Sequence, residues 1–223
     1  MYYTDRSVYN MKISVNNLAF KTLQSSILEG VTFELESCSK NAIYGPQGSG
    51  KKVLLLILGG YLKPNSGSVY FNDLNILKNL KQHRQSNGLG EIVKINPLIE
   101  ELTVRENIEF CAGLVKMQSV EKHTEGLLKK FNLEVFADTL VKDIAHLQRS
   151  VLSVVCASLG QKKIIFLDEP TASLTTAEVQ KFWEIINANR EDKTLFFTTK
   201  NETEAHAQAE RVVRLEYKKA TVE

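Results

Sequence analysis

The chain has 223 residues, and 28 Lys plus Arg against 26 Asp plus Glu leave a formal net charge of only +2. With 43% apolar and 24% charged residues it has the composition of a folded globular chain, which excludes disordered, collagen-like and low-complexity classes. The near balance of charge speaks against nucleic acid as a partner, because that surface needs excess positive charge or a concentrated basic patch. In chain order, Lys12 to Val15 and Val31 to Leu35 alternate as strands. Asn41 to Tyr44 is a short strand that runs into a glycine-rich turn, Gly45 to Gly50. The apolar stretch from Lys51 to Gly59 then reads as a buried helix stopped by Gly59-Gly60. Pro64 to Gly67 is a turn, and Ser68 to Phe71 returns as a strand.

The middle third is helical. Thr103 with Glu106 three residues on forms a capping box, and Val104, Ile108, Cys111 and Val115 share one helical face. Further helices are predicted from Val120 to Phe131 and from Leu147 to Leu159, the latter with Leu147, Val151, Val154 and Val155 inward. Lys163 to Leu167 and Thr194 to Thr198 are near-continuous apolar runs, the pattern of buried parallel strands. Between them, a helix from Thr176 to Asn187 turns Val179, Phe182, Trp183 and Ile186 inward. A helix from Glu202 to Ala209 and a strand from Arg211 to Leu215 follow, giving an α/β core with a helical insertion.

No stretch approaches the roughly 20 apolar residues of a membrane span; the longest greasy run is Val53 to Leu58. Met1 to Tyr9 lacks the apolar core of a signal peptide, so a cytosolic location is expected, with any membrane role exercised through a partner. Cys38, Cys111 and Cys156 are too few and too scattered for a disulfide framework and contain no CxxC pair, so they are expected to be buried thiols in a reducing compartment.

Gly45-x-x-Gly48-x-Gly50-Lys51 lies between a predicted strand and a predicted helix. In that setting the glycines let successive backbone N–H groups curl around phosphate oxygens, the helix N-terminus adds its dipole, and the lysine reaches the outer phosphates. Gly45, Gln47, Gly48, Ser49, Gly50, Lys51, Lys52 and Val53 are therefore the expected nucleotide loop. The pattern ordinarily places Ser or Thr after the lysine to hold Mg²⁺. Here Lys52 and Val53 follow, and neither carries a hydroxyl. Lys52 either projects into solvent or supplies charge where the cation would. The strand Ile164 to Leu167 ends in Asp168 and Glu169. Carboxylates at that end of a buried strand face the ligand crevice: Asp168 would orient Mg²⁺, and Glu169 would polarise the attacking water.

These motifs, together with Leu62 to Gly67, Leu102 to Asn107 and Leu167-Asp168-Glu169-Pro170-Thr171, resemble the nucleotide-binding subunit of ABC transporters over nearly the whole chain. The resemblance implies an α/β fold of one domain: a P-loop NTPase core, mostly parallel sheet with an antiparallel edge, plus a helical subdomain. The core would span about 1–94 and 151–223, and the helical part about 95–150. It also implies ATP as cofactor and a head-to-tail dimer, with itself or with another nucleotide-binding domain, that closes on two ATP molecules. A transmembrane permease would be the other partner, with the chain peripheral on the cytoplasmic face.

Residue by residue, however, the family's functional positions depart. Its Leu-Ser-Gly-Gly-Gln signature falls on Ile144 to Gln148, where only Gln148 matches; Ala145 lacks the hydroxyl, and His146 and Leu147 would crowd the phosphate. The glutamine facing the permease falls on Lys94, the switch histidine on Lys200 and the aspartate after Glu-Pro-Thr on Thr175. The adenine-stacking aromatic falls near Thr22, with Phe20 close enough to substitute, and the glycine before the loop strand is Cys38. Lys51, Lys52, Lys94 and Lys200 would then surround one nucleotide. Two unit charges about 4 Å apart interact by roughly 4 kcal/mol at an effective dielectric near 20. Lys52 and Lys200 are expected to stand in for the metal, leaving Mg²⁺ weakened or dispensable. The expectation is a degenerate export-type subunit with weak or no hydrolysis. An active ATPase with atypical motifs and a non-enzymatic scaffold are the alternatives.

Overall fold

The computed structural model describes residues 11–37, 39–90, 98–190 and 193–223. Strands β1 (Met11–Lys21), β2 (Ser26–Ser37), β4 (Ser66–Phe71) and β5 (Leu74–Asn75) form an antiparallel sheet in the order β2-β1-β4-β5. A second sheet contains β3 (Lys40–Tyr44), β6 (Asn87–Leu89), β7 (Ile164–Leu167), β8 (Thr194–Thr199), β9 (Arg211–Glu216) and β10 (Lys219–Val222). Its order is β10-β9-β3-β8-β7-β6, parallel throughout except for β10. The mixed α/β architecture expected from the sequence is the one observed.

Period-two alternation divides each buried strand between two cores. Ile164, Phe166 and Phe196 face the core shared with the antiparallel sheet and with α1 (Lys51–Leu58). Ile165, Leu167, Leu195 and Phe197 face the opposite core, built with α3 (Val104–Leu114), α4 (Val120–Lys130), α5 (His146–Ser158) and α6 (Thr176–Asn189). Burial on both faces explains why β7 and β8 read as unbroken apolar runs. Their C-terminal ends, with that of β3, lie at one edge of the sheet. There Gly45, Asp168 and Lys200 follow the strands directly.

The capping box at the start of α3 forms as predicted: Glu106 N–H donates to Thr103 Oγ1 at 3.1 Å, and Thr103 N–H donates to Glu106 Oε2 at 2.8 Å. Other expectations need correction. Helix α3 ends at Leu114, one residue before the apolar pattern does, so Val115 is 37% exposed rather than inward. Strand β4 begins within the predicted turn, at Ser66. Gly67 there adopts φ +94°, and a Cβ would sit 2.6 Å from both Asn17 O and Leu18 Cα, so only glycine lets β1 pass where the register shifts. Strands β5, β6 and β10 and the short helix α2 (Leu80–Gln85) are not anticipated by the sequence pattern. The α2–β6 segment buries His83 and Asn87 completely, and these polar residues interrupt the pattern that would reveal it. No helix among the described residues is long and apolar enough to cross a membrane.

Candidate functional site

The loop after β3 is shaped by close approaches. A Cβ on Gly45 would sit 2.1 Å from Leu215 O, so β9 can pass only a glycine there. Gly48 and Gly50 adopt φ +80° and +98°, the left-handed region that glycine enters without strain. Gln47 is exposed, and Ser49 is buried with its Oγ lacking any protein partner. A buried, unpartnered hydroxyl inside a glycine cradle at a helix N-terminus fits the oxygen-rich phosphate chain of a nucleotide.

Lys51 is 5% exposed, and its ammonium is fully engaged. It donates to Gly45 O at 2.9 Å and Pro46 O at 3.0 Å, and pairs with Glu169 Oε1 at 3.3 Å. Three acceptors satisfy its three donors, so a phosphate must displace at least one of them. Lys52 Nζ lies 3.2 Å from Asp168 Oδ2, with side-chain exposures of 48% and 14%. An ion pair this exposed contributes about 0–1 kcal/mol to folding. Its weight falls on the charge of the site. Val53 packs against the core beneath the loop and offers no hydroxyl. The donor set departs from the usual Mg²⁺ site: an ammonium stands against one oxygen of the Asp168 carboxylate, and the two residues after Lys51 bring no oxygen ligand.

Strand β8 supports both acids through Thr198. Its hydroxyl donates to Asp168 Oδ1 at 2.8 Å and accepts from Glu169 N–H at 2.9 Å. Glu169 sits at φ +45°, a left-handed conformation unusual outside glycine, and this bond helps to hold it there.

A family model described as "ABC transporter" matches residues 28–172, nearly two thirds of the chain. The chain belongs to the ABC transporter family. A Staphylococcus aureus relative named putative hemin import ATP-binding protein HrtA is 31% identical over 219 residues, covering 95% of this chain and 98% of that protein. The mouse ATP-binding cassette sub-family A member 6 is 30% identical over 190 residues. This chain spans 12% of that relative's length. The dimeric structure of a bacterial ABC transporter cassette superposes with a TM-score of 0.79 at 24% identity, covering 95% of this chain and 97% of that one. The structure of cbiO1 from Clostridium perfringens, part of the cbiONQ complex, gives 0.77 at 21%, covering 94% and 86%. At these identities the structural likeness establishes the ABC cassette fold.

The remaining family positions are distributed as follows. Lys94 lies outside the described residues, as does Cys38. Lys200 is exposed and lines a cleft with Glu169, Thr171 and Thr199. Phe20 is half-buried against the core of the antiparallel sheet. Of the signature-aligned residues, His146 is exposed at the first turn of α5, behind an Ala145 N-cap that makes no side-chain hydrogen bond. Leu147 is 5% exposed and packs inward, so the expected crowding falls on His146 alone. Gln148 is half-buried. Thr175, where the family has aspartate, is the N-cap of α6: its hydroxyl donates to Glu178 Oε2 at 2.8 Å, and Glu178 N–H donates back at 3.4 Å. The cap holds the Glu178 carboxyl below its ordinary range, chiefly through the Thr175 backbone N–H.

The sequence reading missed Glu204. This residue of α7 (Glu202–Gln208) accepts hydrogen bonds from Thr171 Oγ1 at 2.7 Å and Trp183 Nε1 at 2.9 Å on Oε1, and from Thr199 Oγ1 at 2.6 Å on Oε2. One carboxylate thus ties the loop that carries Glu169 to the loop that carries Lys200. Its donors come from three other elements, which the sequence around Glu204 does not encode.

Proposed function

We propose that the chain is a degenerate ATP-binding subunit of an ABC transporter, which binds ATP with little dependence on Mg²⁺ and hydrolyses it weakly or not at all. The observation that carries this reading is the 3.2 Å contact between Lys52 Nζ and Asp168 Oδ2. In it, the residue standing in the Mg²⁺-ligand position delivers a positive charge directly to the expected metal carboxylate. Glu169 would polarise the attacking water only after releasing Lys51, and Lys51 would reach a phosphate only after leaving loop carbonyls and Glu169. Bound ATP would use the Gly45–Gly50 cradle and the Ser49 hydroxyl, with Lys51, Lys52 and Lys200 compensating its charge.

On this reading the chain works as a dimer of nucleotide-binding domains beneath a transmembrane permease, on the cytoplasmic face of the membrane. Its core lobe would be about 1–94 and 151–223, and the helical subdomain about 95–150 would meet the permease together with Lys94. In the composite site, His146 and Gln148 would face the partner's nucleotide. The Leu102 to Asn107 stretch supports an export-type complex, whereas the staphylococcal relative is named for hemin import. Transport assays in sealed vesicles of both orientations would distinguish the two.

The test of the central reading is nucleotide affinity by calorimetry with and without Mg²⁺. Comparable affinities, with Mg²⁺ dependence restored in Lys52→Thr, support it. Strict Mg²⁺ dependence unchanged in Lys52→Ala sinks it. The complete internal engagement of Lys51 favours a second reading, a pseudo-ATPase scaffold that needs no nucleotide. Absence of ATP binding in a stable permease complex would select it.

A further inference from the structure

The two described cysteines come from different helices and meet. Cys111 lies in the last turn of α3 and Cys156 near the end of α5; both are reduced thiols and partly exposed. Their side chains are within hydrogen-bonding reach of each other, at the rim of the core that both helices bury. The contact is a specific one. The Cys156 thiol also points at Asn107 O, 3.9 Å away and one turn before Cys111 on α3. Hydrogen bonding from Cys156 lowers the Cys111 thiol below its ordinary range against the opposing effect of burial, which favours its thiolate.

We propose that Cys111 and Cys156 are a reversible redox modification site, at which hydrogen peroxide or a related hydroperoxide closes an intrachain disulfide between α3 and α5. The Cys111 thiolate attacks one peroxide oxygen, forming an S–O bond and breaking the O–O bond; hydroxide leaves and takes up a proton to become water. The Cys156 thiolate then attacks the Cys111 sulfenic sulfur, forming the S–S bond and releasing the second water once its oxygen is protonated. The two thiols together lose two electrons and two protons, and the peroxide is reduced to two waters. A dithiol reductant reverses the step by exchange.

The position of the staple gives it a consequence. Asn107, beside the pair, fixes the segment before α3: its side chain accepts from Ile99 N–H at 2.9 Å and donates to Ile99 O at 2.9 Å and to Thr103 O at 2.9 Å. Helix α5 carries His146 and Gln148 at its other end. A disulfide would lock the spacing between the segment that enters α3 and the helix that bears the signature-aligned residues. The inference does not depend on the proposed ATP chemistry.

The experiment uses the full chain in a Cys38→Ser background, treated with hydrogen peroxide, quenched, denatured and alkylated. The expected product is lighter by about 2 Da and takes up no alkylating agent; dithiothreitol restores two reactive thiols. Its peptide map joins the Cys111 and Cys156 peptides within one chain, and thermal unfolding rises by roughly 5–10 °C, because the closed loop restricts the unfolded chain. Thiols that remain alkylatable, a gain of about 32 Da per sulfinic acid without a cross-link, or disulfides only between chains would each overturn the proposal. Because these readouts use the protein with both cysteines present, they do not depend on how well Cys111→Ser or Cys156→Ser folds.

Discussion

Lys52 Nζ stands 3.2 Å from Asp168 Oδ2 while keeping 48% of its side chain in solvent. The pair joins the first turn of α1 to the C-terminal end of β7. Exposed ion pairs of this kind contribute at most about 1 kcal/mol to folding, so the contact matters for what the site can bind more than for stability.

Replacing Lys52 by Thr restores a hydroxyl and frees Asp168. Mg²⁺ should then strengthen ATP binding by about tenfold or more, equivalent to roughly 1.4 kcal/mol, whereas the unmodified chain should show a smaller difference. Isothermal titration with MgATP and with ATP in EDTA measures both values. Equal Mg²⁺ dependence in the two proteins would count against Lys52 as a metal surrogate.

Glu169→Gln removes the carboxylate proposed to activate water and one partner of Lys51. In the weakly hydrolysing reading, steady-state ATP turnover is already low and falls by less than about tenfold. In an active enzyme, loss of a positioned general base costs on the order of 100-fold or more. Phosphate release by the purified chain, alone and with the proposed permease, separates the two. A fall of the larger size would restore the active-ATPase alternative.

Glu204→Gln should destabilise the fold by about 2 kcal/mol, since a neutral amide replaces a carboxylate that accepts charge-assisted hydrogen bonds from Thr171, Thr199 and Trp183. Urea denaturation reads this as a lower midpoint with an unchanged slope. The indole fluorescence of Trp183, the one tryptophan, should report the loss directly. An unchanged midpoint would mean that α6 and α7 hold these loops without the carboxylate.

His83 is fully buried beside Phe71 at a ring distance of 4.8 Å, and its Nε2–H donates to Leu58 O at 2.8 Å. Burial lowers its pKa from 6.5 to about 4, with the bond to Leu58 opposing the shift. The folded state therefore excludes a proton that the unfolded chain binds. The resulting stability is complete above pH 6.5 and is lost as the pH falls toward 4. The shift corresponds to about 3 kcal/mol between these limits. Unfolding free energies measured from pH 7 to 4.5 should fall more steeply for the unmodified chain than for His83→Gln. Parallel slopes would contradict this assignment.

Much of the architecture was legible because its signals are local. The capping box at Thr103 and Glu106, the glycine-rich loop ending in Lys51 and the apolar runs of β7 and β8 each depend on neighbours a few residues away. The same local logic applies at Thr175, where the capping box with Glu178 accounts for the residue directly. The short α2–β6 segment stayed hidden because His83 and Asn87 are polar yet buried.

The sequence alone determined that a glycine-rich loop runs into Lys51 with no hydroxyl on Lys52 or Val53, and that an apolar strand ends in Asp168 and Glu169. It also determined which residues stand at 144–148 and at 200, since identity at a position is local to the sequence. Only the tertiary structure decided that Lys52 reaches Asp168, that Lys51 is occupied by its own loop and Glu169, and that Cys111 meets Cys156. Those facts depend on parallel pairing of β3, β7 and β8, which gathers the ends of distant segments at one edge, and on the helices packed against them. Spacing along a chain encodes the contacts of one helical turn or one strand, but it does not encode which turns and strand ends the folded sheet brings together.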